Sequence, residues 1–433
     1  MRVKIPYGER EAEFSVPEGA RLIKPEFREI GMPVDAREEI RCSLDHPVGC
    51  ERIEQQVRPG QRICIISDDI TRPTPVKLIL EELLFRLEGA GVGREDIFIV
   101  MALGSHRPMT EEEIVRKVGK KIAETYKVFN SQFRDPKELL DMGKTESGAV
   151  VRVSRKVMDS DVRIGIGNIV PHPAMGWSGG AKILYPGVTS EDTVIQFHIM
   201  QGTAQQNLFG MDECPVRLEV ERWTDKIGLD FIVNTVLDQE QRLYRAVAGH
   251  YIKAHRKGVA YAKEVWGGFV KEKADVAVVS SYPADIDYWQ ATKGYLCGQR
   301  GVRDGGCIIL VTPCPEGAGP HPEYMDCIGN DAAQELLEKV RRGEKVDGDI
   351  LALCIGACVS WIRKHYKLVT VSDGLRGEEL KRAAVEYYPL SRLGQAVEDA
   401  CEGIDNPVIV TLSHGGEMVL SVENKHAENG GSI

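Results

Sequence analysis

Residues 62–103 read RICIISDDITRPTPVKLILEELLFRLEGAGVGREDIFIVMAL. An apolar run, Arg62 to Ser67, opens into a polar loop that closes at Pro75; a helix-period stretch follows to about Gly89, and a second apolar run spans Ile97 to Leu103. Short apolar runs joined through a helix make βαβ units, whose strands are parallel. Outward from this unit, short strands near Val150 to Val153, Val162 to Ile166 and Phe231 to Val236 continue the same half, with a helix starting at Thr189, where Thr189 and Asp192 have capping-box spacing. Upstream, Val3 to Ile5 and Glu13 to Val16 flank Tyr7-Gly8 and predict a hairpin.

Around Gly267 to Ala274 the rhythm restarts. Strands are expected at Asp275 to Ser280, Cys307 to Thr312, Leu368 to Val371 and Val408 to Leu412, with helices at Ile286 to Tyr295, up to about Tyr366, and at Leu390 to Cys401. The fold class is therefore α/β: two α/β domains with mostly parallel sheets and an active-site cleft between them. Residues 1–270, with a C-terminal return at about 406–433, form the larger domain; residues 271–405 form the smaller. A chain of 433 residues exceeds the usual single-domain size, in keeping with two cores.

Composition narrows the function classes. Lys plus Arg number 55 against 65 Asp plus Glu, so the net charge of -10 repels phosphate backbones and disfavours a general nucleic-acid binder. The opening MRVKIP lacks the apolar core of a secretory signal, and the longest apolar run, Ile350 to Ile362, is too short to span a bilayer. A cytoplasmic protein without a membrane partner is expected, its 11 cysteines reduced and containing no CxxC pair. Cys354 and Cys358 fall in an apolar helix pattern and read as core.

In parallel sheets the loops leaving the carboxyl ends of strands line the ligand crevice. Four such loops concentrate chemistry. Ser67 to Pro75 holds Asp68, Asp69, Ile70, Thr71 and Arg72, and Arg72 can grip a carboxylate through two parallel hydrogen bonds. In Gly104 to Thr110, His106 follows a strand exit and suits proton transfer. In Asn168 to Gly187, Gly176, Gly179 and Gly180 with Ser178 permit close approach to an anion, with His172 before them and Lys182 after; the P-loop spacing is missing. Tyr282 to Lys293 places Gln290 and Lys293 three apart on one helix face, with Asp285 as the expected cap. His198, among Phe197, Ile199 and Met200, reads on its own as a core histidine. The other histidines show no metal spacing such as HExxH.

Taken in order, DDITRP, GSHRPMT, PHPAMGWSGGAKILYPG, FHIM and YPADIDYWQATK resemble the nickel-pincer-dependent lactate racemase family along nearly the whole chain. The resemblance implies a pyridinium mononucleotide with two sulfur arms that binds nickel as a pincer (pyridinium-3-thioamide-5-thiocarboxylic acid mononucleotide), tethered covalently through Lys182, with His198 as the protein's nickel ligand. It implies His106 and His172 as the two proton donor/acceptors. Asp69, Ile70, Thr71 and Arg72 become the cofactor and substrate loop, and Gln290 and Lys293 the pair approaching from the other domain. It also implies cofactor-biosynthesis proteins as partners in maturation. Trp289 stands where a tyrosine is expected in lactate racemases, and Ala174-Met175 replaces bulkier residues, so the substrate is lactate or a related, larger 2-hydroxy acid.

Racemising a 2-hydroxy acid by proton removal would build a dianion that no ordinary side-chain base supports. Hydride removal with a histidine taking the hydroxyl proton gives a planar 2-keto acid instead, and hydride return to its other face inverts the centre. Two histidines are needed because the hydroxyl points to opposite sides in the two enantiomers. The alternative is a non-catalytic nickel-pincer nucleotide binding or carrier protein, which has no use for proton donors on two sides. A hydrolytic zinc enzyme lacks a three-ligand cluster.

Overall fold

The computed structural model describes residues 1–31, 34–145 and 150–422. The chain divides into two compact units. The first comprises Glu29–Phe197 and Met211–Val265; the second comprises Met1–Arg28, His198–Gly210 and the chain from Trp266 onward.

The first unit is built on a six-stranded sheet. Its spatial order is Leu243–Gly249, Phe231–Leu237, Val162–Asn168, Ile63–Asp68, Ile97–Ala102 and Lys127–Asn130. All neighbours pair in parallel except Leu243–Gly249, which runs antiparallel to Phe231–Leu237. Ile63, Ile65, Ile97, Ile99, Ile164 and Phe231 are fully buried or nearly so, as a sheet covered on both faces requires. The chain winds outward from Ile63–Asp68 in one direction and from Val162–Asn168 in the other. The order therefore reverses between these two strands, and the ligand crevice of a doubly wound sheet opens at their carboxyl ends.

The second unit carries an all-parallel six-stranded sheet in the order Glu386–Tyr388, Lys367–Val371, Val302–Val311, Ala274–Ser280, Val408–Leu412 and Arg21–Ile23. The expected hairpin forms, with Val3 opposite Phe14 and Ile5 opposite Ala12. These inward residues bury against Val276, Ile309 and Ile409 of the sheet. Helix Ile350–His365 buries Cys354, and its N-cap Asp349 accepts from the Leu351 and Ala352 amides.

Several local expectations are corrected. The hairpin and Val408–Leu412 belong to the second unit, because strand pairing ties Val408–Leu412 to both Ala274–Ser280 and Arg21–Ile23 rather than returning it to the larger domain. Residues 423–433, the end of the expected return, lie outside the described residues. Val150–Ser154 pairs antiparallel with Leu139–Lys144 in a separate ribbon and does not join the main sheet. Helix Glu191–Thr203 is capped by Ser190, whose hydroxyl accepts from the Thr193 amide at 3.3 Å, while Thr189 donates to the Pro186 carbonyl instead. The cap before Gln290 is Asp287, not Asp285: Asp287 accepts from the Gln290 amide at 2.7 Å, and Asp285 accepts from Gly8. The single helix expected there breaks into Tyr288–Ala291 and Lys293–Gly301. Among the described residues no helix is long and apolar enough to cross a membrane.

Candidate active site

Asp69, Ile70, Thr71, Arg72, His106, His172 and Lys182 all lie in the first unit, on loops leaving the carboxyl ends of Ile63–Asp68, Ile97–Ala102 and Val162–Asn168. Asp69 is 4% exposed, and its Oδ2 lies 2.6 Å from His106 Nδ1. Its Oδ1 accepts from the Thr71 amide at 3.0 Å and the Thr71 hydroxyl at 2.5 Å. Burial pushes the Asp69 carboxyl up, but the hydrogen bond and charge of His106, the Thr71 hydroxyl and the Arg72 charge outweigh it and hold the group well below the usual carboxylate range. An ionised Asp69 only accepts, so His106 Nδ1 donates and the neutral ring keeps its lone pair on Nε2. The His106 side chain is 41% exposed, open to a reacting group while its partner is buried.

His172 is held the other way. Pro171–His172 and Gly176–Trp177 form a tight antiparallel turn within which the Ala174 amide donates to His172 Nδ1 at 3.1 Å. Nδ1 is thus the acceptor, and the neutral ring carries its proton on Nε2. The turn needs glycine at 176, where φ is +79° and a Cβ would stand 1.9 Å from the Met211 carbonyl oxygen. The two histidines are therefore set in opposite tautomers, one able to take a proton at Nε2 and the other to give one.

Lys182 sits in the short turn of 3-10 helix Gly180–Ile183. The approach to it is held from beneath by buried groups. Asn234 Oδ1 accepts from the Gly180 amide at 2.7 Å, and Arg217 donates to the carbonyls of Trp177 and Gly179. His255 Nε2 lies 2.8 Å from the Ser178 carbonyl. Burial, with the Arg217 charge adding to it, holds His255 well below the usual histidine range, so it is neutral and Nε2–H donates. Burial pulls Arg217 down to about 10, still cationic at neutral pH. The Gly104 amide donates to the Gly187 carbonyl at 2.9 Å, joining the loop of His106 to the end of the loop of Lys182.

The loop Asp68 to Thr74 has its own anchor. Lys117, on helix Glu111–Val118, places Nζ 2.9 Å from Asp68 Oδ1 and donates to the Arg72 carbonyl at 2.7 Å. The Thr74 hydroxyl donates to the other Asp68 oxygen. Burial pushes the Asp68 carboxyl up, and Lys117 offsets part of that rise.

His198, Trp289, Gln290 and Lys293 lie in the second unit. Lys293 Nζ donates to Gln290 Oε1 at 2.7 Å, so the pair expected on one face is in contact. The Trp289 ring lies against His321 with centroids 4.3 Å apart at a 31° tilt and meets Tyr324 edge-on at 4.7 Å. His321 is fixed in turn by Asp349, 2.6 Å from Nδ1. Trp289 is thus a rigid wall held by its aromatic neighbours. His198 Nδ1 lies 3.0 Å from Gln201 Oε1.

Sequence reading missed Lys117, Arg217, Asn234, Gln201 and His255 as supports of the site. A lysine in EEEIVRKV looks like a solvated helix face, and His255 belongs to no motif. Among the described residues no group of three His, Cys, Asp or Glu side chains gathers as a metal site would require.

Residues 7–209 match the lactate racemase N-terminal domain, and residues 270–420 match the lactate racemase C-terminal domain. The chain is 25% identical over 427 residues to the lactate racemase of Thermoanaerobacterium thermosaccharolyticum, covering 96% of this chain and 98% of that protein. It is 29% identical over 307 residues to the lactate racemase of Lactiplantibacillus plantarum, covering 70% and 72%. The structure of the lactate racemase apoprotein from T. thermosaccharolyticum superposes with a TM-score of 0.83 at 24% identity, over 97% of this chain and 100% of that one. A Thermotoga maritima protein structure gives a TM-score of 0.68 at 22% identity, over 91% and 100%. These two likenesses establish the shared fold.

Proposed function

The chain belongs to the lactate racemase family of isomerases, and from that membership we propose that it is a cytoplasmic nickel-pincer-dependent racemase or epimerase of a 2-hydroxy acid. The observation that carries the reaction class is the pair of histidines on strand-exit loops of one unit, held in opposite tautomers by Asp69 and by the Ala174 amide. An invertible hydroxyl-bearing centre needs a base on one side and an acid on the other, and a carrier protein needs neither.

When bound, the pyridinium cofactor would supply a reversible hydride acceptor for the substrate's C2 hydrogen. The chain's donor set fits that group: Lys182 offers one amine at the switch point of the sheet, and His198 offers one imidazole with Nδ1 already engaged. In this reading Lys182 tethers the cofactor and His198 is its nickel ligand. Arg72, with Asp69, Ile70 and Thr71 around it, grips the substrate carboxylate in bidentate fashion. Gln290 and Lys293 contact the substrate's oxygens and the cofactor, and Trp289 bounds the substrate pocket. His106 takes the hydroxyl proton from one enantiomer as Asp69 steadies the imidazolium; His172 returns a proton on the other side, and the roles exchange in the reverse direction. Proteins that build and load the cofactor are its maturation partners.

The test begins with nickel content and a cofactor-sized mass increase on the Lys182 peptide, followed by a panel of chiral 2-hydroxy acids. The expected result is racemisation that His106→Ala and His172→Ala each lower by about 10²–10⁴-fold, without deuterium entering C2 in heavy water. Steady deuterium incorporation would overturn hydride transfer. A loaded protein inert to the whole panel would overturn the reaction.

A further inference from the structure

Helix Glu191–Thr203 carries His198 and, three residues on, Gln201, a spacing that puts both on one face. Gln201 is 4% exposed, and its Oε1 lies 3.0 Å from His198 Nδ1. An amide oxygen only accepts, so Nδ1 carries the hydrogen and the lone pair of the neutral ring sits on Nε2. Gln201 itself is fixed from outside its helix. Its backbone carbonyl lies 3.9 Å from the Cys358 thiol of helix Ile350–His365, a weak contact because that thiol also reaches the Cys354 carbonyl at 3.4 Å. The next residue, Gly202, packs so closely that a Cβ there would stand 2.5 Å from Leu337 Cδ1 and 2.9 Å from the Cys354 carbonyl oxygen. The glutamine therefore has little freedom to follow a turning ring, and a buried amide oxygen without its donor would lose a hydrogen bond that water cannot replace.

We propose that Gln201 is a positioning residue for His198, holding the imidazole in the one tautomer and ring orientation that make Nε2 the metal-donor nitrogen. The proposal rests on the reading of His198 as the nickel ligand. A carboxylate or carbonyl behind a ligating histidine fixes which nitrogen is metallated and raises its basicity, and loss of such a group costs about 10–100-fold in metal affinity. Here a side-chain amide takes that place, a neutral acceptor that adds no negative charge to the site.

The experiment uses the full chain expressed with the cofactor-loading proteins and compares wild type with Gln201→Leu, Gln201→Met and Gln201→Glu. Nickel per chain is measured during graded exposure to a chelator, together with the cofactor's visible absorption and the mass of the Lys182 peptide. Leu and Met, which fill the space without accepting a hydrogen bond, are expected to lose nickel at about 10–100-fold lower chelator concentration while Lys182 stays modified. Glu, which keeps the acceptor, is expected to hold nickel at least as well as wild type. If Leu and Met retain nickel like wild type, or if Glu loses it as readily as they do, Gln201 is only packing and the proposal falls. If wild type carries cofactor on Lys182 but its nickel is indifferent to His198→Ala, the ligand reading itself fails and takes the proposal with it.

Discussion

Asp69 Oδ2 stands 2.6 Å from His106 Nδ1, a buried carboxylate behind a half-exposed imidazole. This contact selects the His106 tautomer, and under the proposed mechanism it would steady the ring once Nε2 is protonated. Replacing His106 by alanine is expected to lower kcat by about 10²–10⁴-fold. Asp69→Asn keeps the shape but lets an NH2 group face Nδ1, and is expected to lose a smaller share of kcat with KM nearly unchanged. Steady-state kinetics on loaded enzyme read both, and an Asp69→Asn enzyme with wild-type kcat would remove Asp69 from the proton-transfer unit.

The same pair predicts the acid limb of stability. Asp69 is held well below its usual range, so the interactions that favour its ionised form stabilise the fold above the unfolded carboxylate value of about 4 and are lost as pH falls through the lower folded value. Melting curves of wild type and Asp69→Asn should differ most above pH about 4 and converge below it. A difference that grows as pH drops would have the wrong sign.

Lys117 is expected to matter out of proportion to its place in an acidic helix. Lys117→Met removes the cation from beside the buried Asp68 and the donor from the Arg72 carbonyl, at a cost of about 3–5 kcal/mol. The double variant Lys117→Met/Asp68→Asn should recover much of that loss, because no buried charge is then unpaired. Chemical denaturation of wild type, Lys117→Met, Asp68→Asn and the double variant gives the coupling energy directly, and strict additivity would deny the pair.

Gly180 has φ of +60°, and a Cβ on it would approach the His255 ring to 2.9 Å. Gly180→Ala should therefore cost about 1–2 kcal/mol for the left-handed backbone, plus the contact. It should also lower the fraction of Lys182 that becomes modified, since the turn carrying the amine must shift. Adding His255→Ala removes the ring contact but leaves the residue 255 Cβ, 3.1 Å away, and the backbone strain, so only partial recovery of the melting temperature is expected.

Trp289, clamped between His321 and Tyr324, is expected to bound the substrate pocket on one side. Trp289→Ala should raise kcat/KM for bulkier 2-hydroxy acids relative to lactate by about 10-fold or more. The ratio, measured on one preparation of loaded enzyme, isolates specificity from cofactor content. An unchanged ratio would show that the indole does not touch the side chain of the substrate.

Much of this architecture is readable along the chain. Apolar runs such as RICIIS and DVAVVS are short, bounded by turn residues and separated by helix-period stretches, which is enough to specify parallel strands; each observed element there depends mainly on neighbours within its own segment. The site loops were legible for a related reason: residues at strand exits are addressed by the strands they follow. Caps were less so. Ser190 over Thr189 and Asp287 over Asp285 are choices between adjacent oxygens, settled when Thr189 met Pro186 and Asp285 met Gly8.

The linear chain thus specifies which segments become strands and which loops carry reactive side chains, because both depend on short-range periodicity and turn chemistry. Strand order, and with it the switch point between Ile63–Asp68 and Val162–Asn168, arises only when segments about a hundred residues apart pair. The tautomers of His106 and His172, the burial of Lys117 and the seat of Gln201 belong to that same level. Each depends on a hydrogen-bond partner or a low-polarity surrounding that folding assembles, and no local pattern encodes those.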